Sequence, residues 1–414
     1  MRSPDYSIGL FRLLPSIIEN SLKIGLDTPY SDWVLKERKY VKKLNESDYA
    51  VILLIDALAV YQLHGKIREL WQENGSLKLN SVIPTSTGNA IASFYIGLPP
   101  EFHGVIATKF YLPEIGNFID ALTGKVPGVG FRDALSAVGI RLSSFLWNPP
   151  VYHNIPQDKM VLVDLYPKHL EGGLRHFYEE NTLGVPYATL SDMIYSIPEI
   201  IKQLHARNRK GIIVSYSADI DSVGHMYGNT RPLELIIRIH NLIVEELIEL
   251  LRSTAKELGV KIKLVITSDH GQIDIKKNIK IPEEKLNELQ DKGIIIQQSG
   301  RFAFVYVDKE EKIDDARESL VNILGEDVDV LTLNEAIRAR LWPALTDEKH
   351  EAFTARAGQL VILPKKHIDI SKERKREKEE LLQDVGYYAR EFRGSHGGAT
   401  REEIETPLII LDIP

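Results

Sequence analysis

Five short runs of valine, isoleucine and leucine constrain this chain most: AVILLID at 50–56, KMVLVDL at 159–165, GIIVSYS at 211–217, KLVITSD at 263–269 and PLIILDI at 407–413. Each is short for a helix and too continuously apolar for a strand with one wet face. Each therefore reads as a buried strand of a parallel sheet. Helical patterns lie between them. The clearest runs from Pro232 to Gly259, with proline at its start and glycine at its end, as helices prefer. Strands alternating with helices predict an α/β fold built on a doubly wound, mostly parallel sheet.

From about 276 to 385 the texture changes. GIIIQQSGRFAFVYVD reads as two strands around a glycine turn, DDARESLVNILG as a helix and GQLVILP as another strand. The expected organisation is a catalytic core of 1–275 and 386–414 with a smaller α+β cap at 276–385. The charge run SKERKREKEELLQD (371–384) reads as a solvated helix face. The 414 residues suffice for a large domain plus such an insertion.

The formal net charge of −7 argues against nucleic-acid binding, which leaves a basic footprint. It is compatible with a small phosphorylated substrate, because a bound metal supplies local positive charge. The chain has no cysteine, which excludes disulfides, thiolate ligands and cysteine nucleophiles together. The N-terminal stretch MRSPDYSIGLFRLLPSIIEN lacks a clean apolar core and a small-residue cleavage site. No window approaches 18 uninterrupted apolar residues, so no membrane span is expected. These features point to a cytoplasmic protein.

Four segments deliver aspartate or histidine to strand ends: Asp56; Asp219, Asp221 and His225; Asp269 and His270; and His396 between glycines. Singly, an aspartate after a strand is most often a cap or turn residue, and a histidine is most often structural. Together they matter more, because ligand sites of open α/β sheets form beyond the carboxyl ends of the strands. Carboxylates and neutral imidazoles suit Zn²⁺, and also Mn²⁺ or Fe²⁺. Asp221 and His225 can close on one ion if the intervening residues turn tightly. Two ions about 4 Å apart would clamp the attacking and leaving oxygens of an in-line displacement.

That chemistry wants a hydroxyl between the ions. IPTSTGNAIASFYIGLPPEFHG (83–104) sets Thr85, Ser86 and Thr87 where a helix is expected to begin, at 88–97. Either Thr85 or Ser86 could cap that helix.

LLIDAL, PTSTGNAIASFYIGLPPEFHG, DIDSVGHMYG, TSDHGQ and GSHGG, in this order, resemble the motifs of the nucleotide pyrophosphatase/phosphodiesterase (type I phosphodiesterase) family of the alkaline phosphatase superfamily. The resemblance spans Asp56 to His396. It implies an alkaline phosphatase-like three-layer sandwich and a phosphodiesterase or pyrophosphatase acting on nucleotide-type substrates through a phospho-threonine. Thr87 would be the nucleophile, with Thr85 next in rank. Asp56, Asp269 and His270 would hold one zinc, with Thr87 bridging, and Asp221, His225 and His396 the other. Asp219 falls outside the pattern and reads as a turn residue.

Two departures stand out. The family usually reads Thr-Phe-Pro-Asn where this chain has Thr87-Gly88-Asn89-Ala90. The family's phosphate-binding asparagine appears here as Thr108, followed by Lys109. Thr108, Lys109 and Asn89 are therefore the expected substrate-binding residues. Activity on phosphomonoesters or phosphonates is the alternative, and a noncatalytic metal-binding protein of this fold is a third. His103 reads as a turn stabiliser. Phe110, Tyr111 and Trp147 could stack on an aromatic leaving group or simply pack. No P-loop or dinucleotide fingerprint is present.

Overall fold

A computed structural model of the chain describes residues 2–345, 347–372 and 392–414. Its centre is a seven-stranded sheet. In spatial order the strands are Lys78–Asn80, Glu405–Ile413, Ile262–Thr267, Tyr49–Ile55, Lys210–Ser217, Met160–Pro167 and Thr182–Tyr187. Side chains alternate between faces along each strand. Ala50, Ile52 and Leu54 join one core with the N-terminal Leu10, Phe11 and Leu14 and with Phe94 of the helix Thr87–Ile96. Val51, Leu53 and Ile55 join a second core with the helices Leu190–Ala206 and Arg231–Leu258. The sheet is thus the middle of three layers, and both faces of its inner strands are buried.

The strand Glu405–Ile413 corrects one expectation: it pairs antiparallel with Ile262–Thr267. A parallel return needs a crossover of a dozen residues or more. Only the short helix Arg401–Ile404 separates this strand from the loop around His396, so the chain re-enters the sheet in the opposite sense. Two edge strands escaped the sequence reading. Thr182–Tyr187 is half solvated and carries Gly184 and Pro186, which suppress the apolar signal and are tolerated at an edge. Lys78–Asn80 is only three residues long.

GIIIQQSGRFAFVYVD forms the expected hairpin, Ile294–Ser299 against Phe302–Val307. The strands Leu360–Pro364 and Val328–Thr332 complete a four-stranded antiparallel sheet, and the helix Ile313–Leu324 packs against it. Of the charge run at 371–384, only Ser371 and Lys372 are described, at the end of the strand Ile368–Lys372. The rest, like the expected boundary at 385–386, lies outside the described residues. No described helix is long and apolar enough to cross a membrane.

One buried ion pair fastens the hairpin to the edge of the central sheet. Arg301 Nε and Nη2 lie 2.7 and 2.9 Å from the two oxygens of Glu403, and both side chains are fully buried. Arg301 Nη1 donates to the carbonyls of Lys365 and Ile368. Glu403 also accepts the N–H groups of Gly398 and Thr400. Removing one partner strands the other charge in the interior. Arg301→Met is expected to lower stability by about 3–5 kcal/mol, whereas Arg301→Met with Glu403→Leu recovers much of the loss. Urea denaturation of the wild type and both variants checks this.

Candidate active site

The expected ligands converge at the carboxyl edge of the sheet. Asp56 directly follows Tyr49–Ile55, and Asp269 and His270 follow Ile262–Thr267 in the next turn. Asp221 and His225 lie on the helix Asp219–Tyr227, one turn apart on one face. A helical turn, rather than a tight loop, thus brings these two together. Asp219 opens that helix and joins neither ligand group. His396 follows the two-residue strand Gly394–Ser395, which pairs with Ile273–Asp274.

Two triads result, Asp56–Asp269–His270 and Asp221–His225–His396, each with ligand atoms within 4.8 Å of one another. They adjoin, since the rings of His270 and His396 stack with centroids 4.0 Å apart. Asp221 is the most open of the six, its side chain 16% exposed, so the site opens to solvent on that side.

Hydrogen bonding assigns the tautomers. The Nδ1 atoms of His225, His270 and His396 face the carbonyls of Gly394, Gly271 and Thr85 at 2.8, 3.1 and 2.9 Å. A carbonyl only accepts, so each Nδ1 carries a proton, and in the neutral ring each Nε2 is bare. Those bare nitrogens face carboxylate oxygens: His270 Nε2 lies 3.5 Å from Asp56 Oδ1 and 3.4 Å from Asp269 Oδ2. His225 and His396 Nε2 lie 3.3 and 3.4 Å from Asp221 Oδ1. Asp56 Oδ1 and Asp269 Oδ2 are buried with no donor. Burial, then the carboxylates of Asp269 and Asp221, hold the Asp56 carboxyl well above its usual range. Burial and the neighbouring imidazoles of His270 and His225 hold His396 well below its usual value. Acceptors gathered face to face in a dry site call for a cation. Two oxygens with one nitrogen, and one oxygen with two nitrogens, are donor sets that suit a divalent transition metal.

Thr87 opens the ten-residue helix Thr87–Ile96, and its hydroxyl donates to His270 Nε2 at 3.1 Å. Thr85 is committed elsewhere: it donates to the Gly398 carbonyl and accepts the Gly397 N–H. Ser86 occupies the N-cap position, yet neither it nor Thr85 caps the helix backbone. Thr108 Oγ1 accepts the Gly88 N–H instead, at 3.3 Å. That approach requires glycine at 88, because a Cβ there would stand 2.7 Å from Thr108 Cα.

Of the three expected substrate-binding residues, Asn89 belongs to the helix Thr87–Ile96 and Thr108 adjoins its first turn with its side chain. Asn89 is fully buried and turned inward, donating to the Pro84 carbonyl and accepting from Ser86. Lys109 Nζ is half-exposed and lies 3.7 Å from Asp120. Phe110 is buried, and Trp147 lies under the Arg356 guanidinium at 4.7 Å, so both rings pack.

Three neighbours were not among the expected site residues. Tyr216 donates its hydroxyl to Asp56. Gln272 Nε2 lies 3.2 Å from Asp221 Oδ1. Ser299, from the hairpin, meets Ser86 at 3.0 Å and accepts the Thr108 N–H. Gln272 stands beside the Asp-His-Gly turn and was legible by adjacency. The other two arrive through strand pairing and a 213-residue separation from Ser86.

A profile of the type I phosphodiesterase / nucleotide pyrophosphatase family matches residues 50–399. The chain belongs to this family. The match covers both triads and Thr87. An uncharacterised pyrophosphatase/phosphodiesterase of Schizosaccharomyces pombe is 26% identical over 187 residues, 44% of this chain and 35% of that relative's length. Murine ectonucleotide pyrophosphatase/phosphodiesterase 5 superposes with a TM-score of 0.61 at 17% identity, covering 87% of each chain. An inactive threonine-to-alanine form of the murine protein, in complex with AMP, superposes at 0.59 and 16% identity over 87% of each chain. Phosphonoacetate hydrolase from Sinorhizobium meliloti 1021, in complex with phosphonoformate, gives 0.56 and 17%, covering 87% of this chain and 89% of its own. The solved structures share the fold of this chain.

His103 braces the helix Thr87–Ile96. It is fully buried, its Nδ1 accepts the Val105 N–H and its Nε2 meets Ser93 at 2.8 Å. Burial, with Arg356 adding to it, lowers its pKa to about 3. The unfolded chain takes up this proton below about pH 6.5 and the folded chain does not. Its contribution is therefore full above that pH. It is lost toward pH 3 at about 1.4 kcal/mol per pH unit. Urea denaturation between pH 4 and 7 is expected to show that extra slope in the wild type and to lose it in His103→Gln.

Proposed function

We propose that the protein hydrolyses phosphodiester or pyrophosphate bonds of nucleotide-type substrates, with Thr87 as the nucleophile. The observation that carries this reading is the placement of the Thr87 hydroxyl 3.1 Å from His270 Nε2, beside two buried carboxylate oxygens that lack donors. Asp56, Asp269 and His270, with Thr87, would hold one divalent ion, and Asp221, His225 and His396 a second, zinc suiting both sets. Bound there, such ions lower the pKa of a hydroxyl at neutral pH and offset charge on phosphoryl oxygens.

The chain's own residues do the rest. The first turn of Thr87–Ile96 points backbone N–H groups toward an anion at its N-terminus. Thr87 Oγ1 forms a bond to phosphorus as the bond to the leaving oxygen breaks, and water then cleaves the phospho-threonine. Proton counting defines what Thr108 contributes. Asn89 turns its amide nitrogen to Pro84, so Ser86 spends its proton on Asn89 Oδ1. Thr108 therefore donates to Ser86, 3.2 Å away. Ser299 also donates to Ser86, so Thr108 can turn its proton to a phosphoryl oxygen while Ser86 keeps a donor. The segment 276–385, described at 276–345 and 347–372, acts as a cap that delivers Ser299 to this network. The AMP complex of the murine relative supports a nucleotide as the substrate class.

Thr87→Ala is expected to lose at least about 1,000-fold in hydrolysis of a nitrophenyl phosphodiester, the scale of losing a covalent nucleophile. It should retain the divalent-ion content of the wild type by elemental analysis. A variant as active as the wild type removes Thr87 from the chemistry. Faster wild-type turnover of nitrophenyl phosphate or phosphonoacetate than of the diester reassigns the substrate class.

A further inference from the structure

Gln272 follows the Asp-His-Gly turn and has no part in the reading above, yet the fold is shaped around its side chain. It is buried, and Tyr61 donates its hydroxyl to the Gln272 backbone carbonyl. The carboxamide lies between the helix Asp219–Tyr227 and the segment that leads to His396. Nε2 is 3.2 Å from Asp221 Oδ1 and 3.4 Å from the Asp221 carbonyl. Both partners only accept, which orients the amide with its N–H₂ toward Asp221. On the other side, a Cβ at Gly224 would fall 1.7 Å from Gln272 Oε1, and a Cβ at Gly394 would fall 3.1 Å from it. The helix thus lacks a side chain at 224 where the carboxamide passes, one turn from Asp221 and next to His225.

The other two carboxylates also have outer donors, placed on the oxygen turned away from the histidine, whereas Gln272 meets the Asp221 oxygen that itself faces His225 and His396. Tyr216 donates to Asp56 while Asp56 Oδ1 stays open. The Ala57 and His270 N–H groups donate to Asp269 Oδ1 while Oδ2 stays open. Each of the three histidines is fixed through its Nδ1–H on a carbonyl. Asp221 lies on a surface helix and is the most exposed of the set, and Gln272 is the side chain that donates to it from the core. Outer donors of this kind set the orientation and basicity of a ligand, and losing one typically weakens metal binding about 10- to 100-fold.

We propose that Gln272 is a positioning residue for the Asp221–His225–His396 triad, holding Asp221 Oδ1 toward the two histidines and thereby setting the affinity of that site for a divalent cation. The inference rests on the two-ion reading above. Gln272→Met keeps the length of the side chain and removes its donors, and Gln272→Glu keeps its shape and sets a carboxylate against Asp221. The test is zinc titration of the metal-free wild type and both variants by chelator competition, with far-ultraviolet circular dichroism of the metal-free proteins as the control for folding. Two ions bound by the wild type, with one dissociation constant raised about 10- to 100-fold in the variants and the other unchanged, is the expected result. Wild-type uptake of two ions with unchanged affinities in a folded variant overturns the role of Gln272 alone. A wild-type chain that takes up no divalent ion overturns the two-ion reading and this inference with it.

Discussion

The ion pair between Arg301 and Glu403 holds the site together. Arg301 sits at the start of a hairpin strand, and Glu403 on the short helix that leads into the last central strand. Between them the backbone N–H of Arg301 donates to the His396 carbonyl, and the Gly398 N–H donates to Glu403. The loop from His396 to Thr400 is therefore gripped from one side by a buried charge pair. On the other side Thr85, two residues before Thr87, takes the His396 Nδ1–H on its carbonyl and the Gly397 N–H on its hydroxyl. Disturbing the hairpin would move His396 and the start of the helix Thr87–Ile96 together. Burying an ion pair costs desolvation, and its attested benefit is registry between parts rather than net stability. Three chain segments meeting at one guanidinium fit that role.

Within this frame the site is assembled for a charge it does not itself contain. The protein satisfies one side of each candidate ligand and leaves the other side bare. The histidine protons go to carbonyls, and the carboxylates receive Tyr216, Gln272 and backbone N–H groups on one oxygen each. The open oxygens of Asp56 and Asp269 then face His270 Nε2 at 3.5 and 3.4 Å, and the Asp221 oxygen held by Gln272 faces the Nε2 atoms of His225 and His396 at 3.3 and 3.4 Å. In a low-dielectric interior such a juxtaposition is unfavourable without a cation. The Thr87 hydroxyl stands at this centre, 3.1 Å from His270 Nε2.

Much of the site was legible because its residues stand beside strands whose ends could be read from their apolar runs. Asp56 and Asp269 follow buried strands, and the parallel topology sends both to one edge. The sequence asks only that the residues between Asp221 and His225 turn tightly; that the turn is helical stays hidden because nine residues containing Ser222 and Gly224 give a weak periodic signal. The direction of the last strand was misread because its composition matches its parallel neighbours. Direction depends on the length of the preceding connection, which composition does not encode. Asn89 is the right residue type for phosphate binding, yet its amide closes the loop before the helix, a choice set by the Pro84 carbonyl beside it.

Read by itself, the sequence determined the α/β layering, the family and the identity of seven residues placed to act together, because apolar periodicity and motif order are local and cumulative. The tertiary structure decided which lone pairs remain open, which hydroxyl of Thr85, Ser86 and Thr87 faces the two triads, and which outer side chains hold the ligands. Those depend on hydrogen bonds between segments far apart in the chain. Each donor has one proton to place, and the place is settled only when its partner arrives.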